Sequence, residues 1–264
     1  MVIHKDFAAQ AATILSADPN VIGLAATGSW LSDELDEYSD LDLILVTKER
    51  VSDDVSKMIA YATRLGHYLS GFRGEHVGEP RLLICLYDHP LLHVDIKFLT
   101  IDEFDRHIEM PIVLLDTDDQ LKNILDHVVP KFPTPEFQWI EDRFWAWVHY
   151  TLLKIGRGEY LEAFDCFAFF RALVFGPLMH MKNGNLPRGV RRVETHLNPE
   201  DLVKLKRTIP SYERQSLLDT LKYCVLLYRE LRTALYDDKV FLQKPAEKSV
   251  MLYFEEIEWK NEEG

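Results

Sequence analysis

The sequence has 264 residues, of which 47% are hydrophobic and 28% charged. That composition has room for one large domain or two modest ones, at about 100–200 residues each, and it excludes a disordered or collagen-like chain. A net charge of −13, from 30 Lys+Arg against 43 Asp+Glu, argues against nucleic acid as a partner.

Residues 4–17 carry the apolar spacing of an amphipathic helix. Residues 20–26 read as a short buried strand that ends in the Gly28-Ser29 turn, and residues 40–47 as a second strand. Helical spacing runs over 52–70 through Val55, Met58, Ile59, Ala62, Leu65 and Leu69. Strands fit 81–87 and 91–99, with Asp88-His89-Pro90 as the turn between them. A short helix (102–108), a strand (112–115) and a helix (119–128) complete a small mixed sheet with helices packed on it.

Residues 130–135 hold three prolines in six positions and read as a linker. Up to residue 130 there are 10 basic and 23 acidic residues, and beyond it 20 of each, so the whole excess charge lies in the first half. Helical patterns dominate the second half, over 136–156, 159–181, 199–207 and 211–237, which predicts a bundle of four or five helices. The acidic tail, 255–264, reads as frayed. The expected fold class is α+β, with an α/β domain over 1–130 and a helical, substrate-binding domain over 131–264.

Cys85, Cys166 and Cys224 are odd in number and far apart, which fits a reducing cytoplasm rather than a disulfide framework or a zinc ribbon. The N-terminus has no cationic segment followed by an apolar block, so no signal peptide is read. The longest apolar stretch, 166–181, is broken by Arg171, Gly176, Pro177 and His180, and no membrane span is expected.

The stretch that carries chemistry is Thr27-Gly28-Ser29, then ten residues, then Asp40-Leu41-Asp42-Leu43-Ile44-Leu45-Val46. Side chains alternate along a strand, so Asp40 and Asp42 share a face with Ile44, while Leu41, Leu43 and Leu45 fill the other. Two carboxylates on an apolar strand repel, and a divalent cation between them relieves the repulsion. Mg²⁺ takes such oxygen ligands together with substrate phosphates. Gly28 leaves space for a phosphate to approach the backbone, and Ser29 offers a hydroxyl. His93, Asp95 and Lys97 share one face of a later strand. If that strand neighbours the first, Asp95 completes a three-carboxylate cluster able to hold two metal ions.

Gly-Ser followed by Asp-Leu-Asp on a strand, with one more Asp on a later strand, resembles the nucleotidyltransferase superfamily that shares the fold of DNA polymerase beta. Size and helical second half are similar to the nucleotidyltransferases that modify aminoglycosides and lincosamides. Tyr38-Ser39-Asp40-Leu41-Asp42 resembles their metal-binding segment, and Arg157-Gly158-Glu159-Tyr160 a segment of the lincosamide enzymes. The resemblance is close over residues 20–100. It implies Mg²⁺ on Asp40 and Asp42, nucleotide phosphate on Gly28 and Ser29, and Asp95 as third metal ligand or general base. Many antibiotic-modifying members have Glu at that third position, one methylene longer. The reaction implied is attack of an acceptor hydroxyl on the α-phosphorus of ATP or another nucleoside triphosphate, with loss of pyrophosphate.

Other residues carry double readings. Asp33, Glu34, Asp36 and Glu37 read as a solvated helix or loop before the motif. His89 and His93, four apart, would suggest zinc on a helix, but Pro90 and the strand pattern spoil that geometry. Arg191 and Arg192 are candidates to bind the triphosphate within the basic segment 182–207, a solvated helical face being the alternative. The aromatic run Phe144, Trp145, Trp147, Tyr150, Phe164, Phe167, Phe169 and Phe170 reads as bundle core, part of it lining an acceptor pocket. Glu159, Glu162 and Asp165 are candidates for binding acceptor ammonium groups.

The expectation is a cytoplasmic, Mg²⁺-dependent enzyme, monomer or homodimer, acting between the two domains. It would move AMP from ATP to a hydroxyl of a small cationic acceptor. The alternatives are a protein-modifying adenylyltransferase, a non-catalytic nucleotide-binding or antitoxin-like module, and a tRNA-directed polymerase that the charge disfavours.

Overall fold

The structure, a computed structural model, describes residues 2–31 and 35–262. The fold is α+β, and the chain divides into two compact units, Met1–Phe132 and Pro133–Gly264.

The first unit is built on strands β1 (Val21–Ala26), β2 (Leu41–Thr47), β3 (His67–Gly74), β4 (Glu79–Asp88), β5 (Leu92–Thr100) and β6 (Ile112–Asp116), in the spatial order β3-β4-β5-β2-β1-β6. The β2–β5 pair is parallel and the other neighbouring pairs are antiparallel. Three helices, α1 (Val2–Ser16), α2 (Val55–Arg64) and α3 (Gln120–Leu125), flank the sheet. On one sheet face, Leu41, Leu43 and Leu45 of β2 and Val94, Ile96 and Phe98 of β5 form a buried cluster with Ala11 and Leu15 of α1 and Met58 and Ala62 of α2. Each large side chain buried in this way contributes about 1.5–3 kcal/mol. On the opposite face, Ile44, Val46 and Leu99 pack with Phe104 and Leu121. Two residues before Ile44 on β2, and four before Leu99 on β5, that face changes character and presents Asp42 and Asp95.

The second unit contains α4 (Phe137–Arg157), α5 (Tyr160–Phe170), α6 (Gly176–Lys182), α7 (Val193–His196), α8 (Pro199–Lys206), α9 (Arg214–Leu235) and α10 (Lys244–Glu262). Phe144 of α4 stacks on Tyr228 of α9 with ring centroids 3.7 Å apart, and Trp145, Phe170 and Phe175 surround the pair. Glu141 is fully buried beside this core. It accepts hydrogen bonds from the Tyr228 hydroxyl at 2.6 Å, Arg232 Nη1 at 3.3 Å and the Gln243 backbone N–H at 2.9 Å. A buried charge is tolerated only when its lone pairs are satisfied in this way.

Several elements differ from the expectations. Helical spacing over 52–70 gives a helix only to Arg64, and β3 follows. Gly66 interrupts the helix, and β3 is an edge strand with most side chains exposed or half-buried, so it carries no clear alternation. The helix expected over 102–108 is a single 3₁₀ turn, Ile101–Glu103. There the Glu103 carboxylate accepts from the Thr100 N–H and hydroxyl and pairs with Arg50 at 2.6 Å. Pro111 further disfavours helix at the residue before it. The pattern over 159–181 is helical but interrupted by a π turn, Arg171–Phe175. The tail is helical over 255–262. It ends α10, which buries Phe254 and Ile257 against the bundle core.

Candidate active site

β2 and β5 run side by side in parallel register, and Asp42 and Asp95 are direct partners across the pair. Asp40 stands just before β2. Asp40, Asp42 and Asp95 each offer a carboxylate oxygen, and these oxygens lie within 4.8 Å of one another. All three residues are half-buried. The crossover through α2, β3 and β4 returns the chain to a strand parallel to β2, and so joins carboxylates 53 positions apart in sequence (Asp42 and Asp95).

The Asp40 loop is held locally. The Asp36 carboxylate accepts from the Tyr38 N–H and the Ser39 hydroxyl, both at 2.9 Å. Those bonds, the Ser39 one foremost, hold the Asp36 carboxyl below the usual carboxylate range. The buried His4 of α1 sits 2.7 Å from the Ser39 carbonyl. Asp36 and Glu37 are exposed loop residues, while Asp33 and Glu34 lie outside the described residues.

Gly28 begins a 3₁₀ turn, Gly28–Trp30, immediately after β1 and Thr27. Its φ is +64°, and a Cβ built on it would lie 1.9 Å from Asp42 Oδ2. No other residue type fits there without displacing that carboxylate. The Thr27 N–H donates to the Asp42 carbonyl at 3.0 Å and fastens the turn to β2. Ser29 Oγ is shut off from solvent and has no hydrogen-bond partner among the described residues. Oxygen-only donors, close enough to share an ion, suit Mg²⁺ or another hard divalent cation, and the orphaned Ser29 hydroxyl suits a ligand oxygen.

Asp95 differs from an ordinary carboxylate. Burial raises its pKa and the Asp40 charge adds to the rise, while His93 opposes both. His93 Nε2 lies 2.9 Å from Asp95 Oδ1. The shared face of His93 and Asp95 is readable in the strand alternation, but their hydrogen bond is not. Lys97, next on that face, pairs with Glu79 at 2.7 Å. Glu79 also pairs with Arg81 at 2.7 Å, and these partners, Arg81 first, draw its carboxyl down to about 2.

In the second unit, the Arg157-Gly158-Glu159-Tyr160 segment is the tight turn from α4 to α5, with Gly158 in the left-handed region at φ +77°. Glu159 pairs with Lys154 at 2.7 Å. Glu162 and Asp165 stand on the wall of a cavity of about 350 Å³ with Trp147, Tyr150, Cys166 and Phe169. Tyr150 donates to Glu162, and that bond, together with Lys154 at 3.0 Å, lowers the Glu162 pKa. Of the aromatic run, Phe144, Trp145, Phe167 and Phe170 are buried core, and Trp147, Tyr150, Phe169 and the edge of Phe170 line this cavity.

Arg191 is exposed and Arg192 half-buried in the turn before α7, where Arg192 has φ +58°. The Arg191 carbonyl lies 3.0 Å from His180 Nε2. Within the same basic segment, Lys182 pairs with the buried Asp201 at 2.6 Å and Lys204 with Glu230 at 2.6 Å. Those two lysines fasten α6, α8 and α9 together. His89 and His93 do not form a zinc pair on a helix, since His93 lies on β5 and bonds Asp95.

No helix among the described residues is long and apolar enough to cross a membrane. No family model matches the chain, and no curated protein matches it. Among solved structures, it is similar to an aminoglycoside 6-adenyltransferase from Bacillus subtilis, with 16% identity, a TM-score of 0.41, and 96% of this chain and 98% of that one covered. A nucleotidyltransferase-like protein from Exiguobacterium sibiricum has 14% identity and a TM-score of 0.36, over 87% of this chain and 73% of that one. A spectinomycin adenyltransferase from Enterococcus faecialis, with ATP and spectinomycin, has 11% identity and a TM-score of 0.30, over 96% of this chain and 99% of that one.

Proposed function

We propose that the protein is a Mg²⁺-dependent nucleotidyltransferase that transfers AMP from ATP to a hydroxyl of a small cationic acceptor and releases pyrophosphate. The observation that carries this reading is the meeting of Asp40, Asp42 and Asp95 within 4.8 Å at the start of the parallel β2–β5 pair. Bound there, Mg²⁺ supplies charge neutralisation to the triphosphate. Asp40, Asp42 and Asp95 are the residues that would hold it. Gly28 leaves the Asp42 carboxylate its space, and the Ser29 hydroxyl and neighbouring backbone bind phosphate oxygens.

In the reaction, the acceptor oxygen forms a bond to the α-phosphorus. The bond between that phosphorus and the bridging oxygen to the β-phosphate breaks, and pyrophosphate leaves with the electron pair. Asp95, the partner of Asp42 across the β2–β5 pair, serves as the third metal ligand or as the base that takes the hydroxyl proton. His93 holds the Asp95 carboxylate in place. Arg191 and Arg192 bind the nucleotide's phosphates. Glu162 and Asp165 attract the acceptor's ammonium groups, with Trp147, Tyr150 and Phe169 offering aromatic faces to them. Glu159, paired with Lys154 in the turn before α5, is the third acidic candidate.

The test is to incubate the protein with Mg²⁺, each nucleoside triphosphate in turn and a panel of acceptors, and to measure pyrophosphate release. Release with ATP that depends on a polyamine-bearing, hydroxylated acceptor supports the proposal. Nucleotide binding without release for any acceptor overturns it, and release only with a protein acceptor overturns the small-molecule assignment.

A further inference from the structure

A second group of metal-ligand side chains stands apart from the acidic cluster. β3 begins at His67, whose partner across the ladder is Asp88, the last residue of β4. His89 follows at once, with a backbone φ of +60° at the turn into β5, and its ring lies beside that of His67. His67, Asp88 and His89 each offer a ligand atom, and the three lie within 4.8 Å of one another. The His67 and His89 rings are 5.1 Å apart between centroids, and His89 Nε2 is 3.6 Å from Asp88 Oδ2. The other Asp88 oxygen, Oδ1, accepts from the His89 N–H at 2.9 Å, which fixes the orientation of the carboxylate.

We infer that His67, Asp88 and His89 form a binding site for a zinc-class divalent ion. Two imidazole nitrogens and one carboxylate oxygen are the donors that such ions prefer, whereas the all-oxygen cluster of Asp40, Asp42 and Asp95 suits Mg²⁺. Donors around a tetrahedral zinc ion stand about 3.4 Å from one another, given metal–ligand distances near 2.1 Å. The Asp88–His89 separation is close to that value, and the remaining closure requires only small rotations of the exposed His67 and His89 side chains. The three residues line a cavity of about 300 Å³ shared with Asp6, Phe7 and Gln10 of α1. It has room for water or a small ligand at a fourth coordination position. An ion held there would tie the free edge of the sheet to the β4–β5 turn.

This site is independent of the proposed transfer activity. The experiment is a Zn²⁺ titration of the full-length protein against a chromophoric chelator, in several millimolar Mg²⁺ so that the acidic cluster is in competition with magnesium. A parallel Co²⁺ titration reads the absorption of a low-coordinate nitrogen–oxygen site. The wild type should bind one equivalent and gain thermal stability with Zn²⁺. His67→Gln, His89→Gln and Asp88→Asn should each bind more than ~10-fold more weakly, since even the loss of an outer-shell partner costs 10–100-fold. The two histidines are exposed, so those variants keep the fold, which circular dichroism checks. Absence of Zn²⁺ binding by the wild type overturns the inference. So does undiminished binding in the His67→Gln/His89→Gln double variant, or binding lost only in Asp42→Asn.

Discussion

Gly28 and Asp42 are in contact so close that the glycine's missing side chain is the space the carboxylate occupies. A methyl group on Gly28 would fall 1.9 Å from Asp42 Oδ2, and φ of +64° disfavours any substituted residue there. Gly28→Ala should therefore push the Asp42 carboxylate out of the acidic cluster. Its left-handed backbone alone should cost roughly 1–2 kcal/mol of stability. The expected outcome is a protein that still folds, with a lowered melting temperature and pyrophosphate release reduced at least as strongly as substrate binding. Unchanged turnover in Gly28→Ala would show that the Asp42 position is not critical.

Asp42→Asn and Asp40→Asn keep the shape of the side chain and remove its charge. On the proposed reading each should lower turnover by about 10³-fold, because charge stabilisation through a metal ion is worth several kcal/mol and each 1.36 kcal/mol is tenfold in rate. Stability should hold, since one of three mutually repelling carboxylates is neutralised. Steady-state kinetics at saturating Mg²⁺, with thermal melts alongside, measure both. Near-normal activity in Asp42→Asn would sink the metal assignment.

Asp95 and His93 separate proton transfer from positioning. Asp95→Asn removes a general base and should cost about 10²–10⁴-fold in kcat. His93→Ala keeps the Asp95 carboxylate but removes the group 2.9 Å from it that orients it, so the loss should be smaller and should fall mainly on kcat. A crystal with Mg²⁺ and an unreactive ATP analogue should show an Asp95 oxygen within about 5 Å of a metal ion or the acceptor hydroxyl. An Asp95 side chain turned toward the core or solvent would end its role as base.

How legible this site is in the sequence depends on which interactions are local. Asp40 and Asp42 stand out because Leu41, Leu43 and Leu45 alternate with them and go to the core. Asp95 is readable as a strand carboxylate through Val94, Ile96 and Phe98, but its pairing with Asp42 depends on sheet order, which alternation does not encode. β3 is hidden because an edge strand buries little, and its first residues extend the apolar spacing of α2. His67 therefore reads as helical, and its meeting with Asp88 and His89 is a tertiary fact. α10 is hidden for another reason. Its charged sequence conceals the stripe of Val250, Phe254 and Ile257 that packs on the bundle.

Glu79 gives a prediction in pH. Arg81 and Lys97 draw its carboxyl from about 4.5 down to about 2 in the folded state. A lowered folded pKa means the pair stabilises the fold above the unfolded value, and that the contribution is lost as pH falls from there toward the folded value. Solvent screening limits the effect, and about 1 kcal/mol is the scale for a partly exposed pair. Urea unfolding of wild type and Glu79→Gln should differ by this amount at pH 7, and the difference should shrink by pH 3 and be lost as pH falls through about 2. A difference that stays constant from pH 7 to pH 2 would assign the effect of the substitution to packing.

The acceptor prediction rests on charge. Glu162 and Asp165 are exposed on the wall of an aromatic cavity, where a polycationic acceptor would meet both carboxylates and the faces of Trp147 and Phe169. Exposed charges are screened by salt, and the Debye length falls from about 10 Å at 0.1 M to about 3 Å at 1 M. Calorimetric titration with Mg²⁺ and an unreactive ATP analogue should therefore show affinity for a cationic acceptor falling clearly between about 50 and 500 mM salt. Glu162→Gln and Asp165→Asn should weaken binding at low salt and flatten the salt dependence, because each removes one screened interaction. Phe169→Leu should weaken binding at both salt levels, since contact with an aromatic face is short-ranged. Salt-independent binding of a cationic acceptor would remove the electrostatic argument. If every cationic small molecule fails while a protein substrate is modified, the acceptor is a polypeptide and the cavity of α4 and α5 must serve something else.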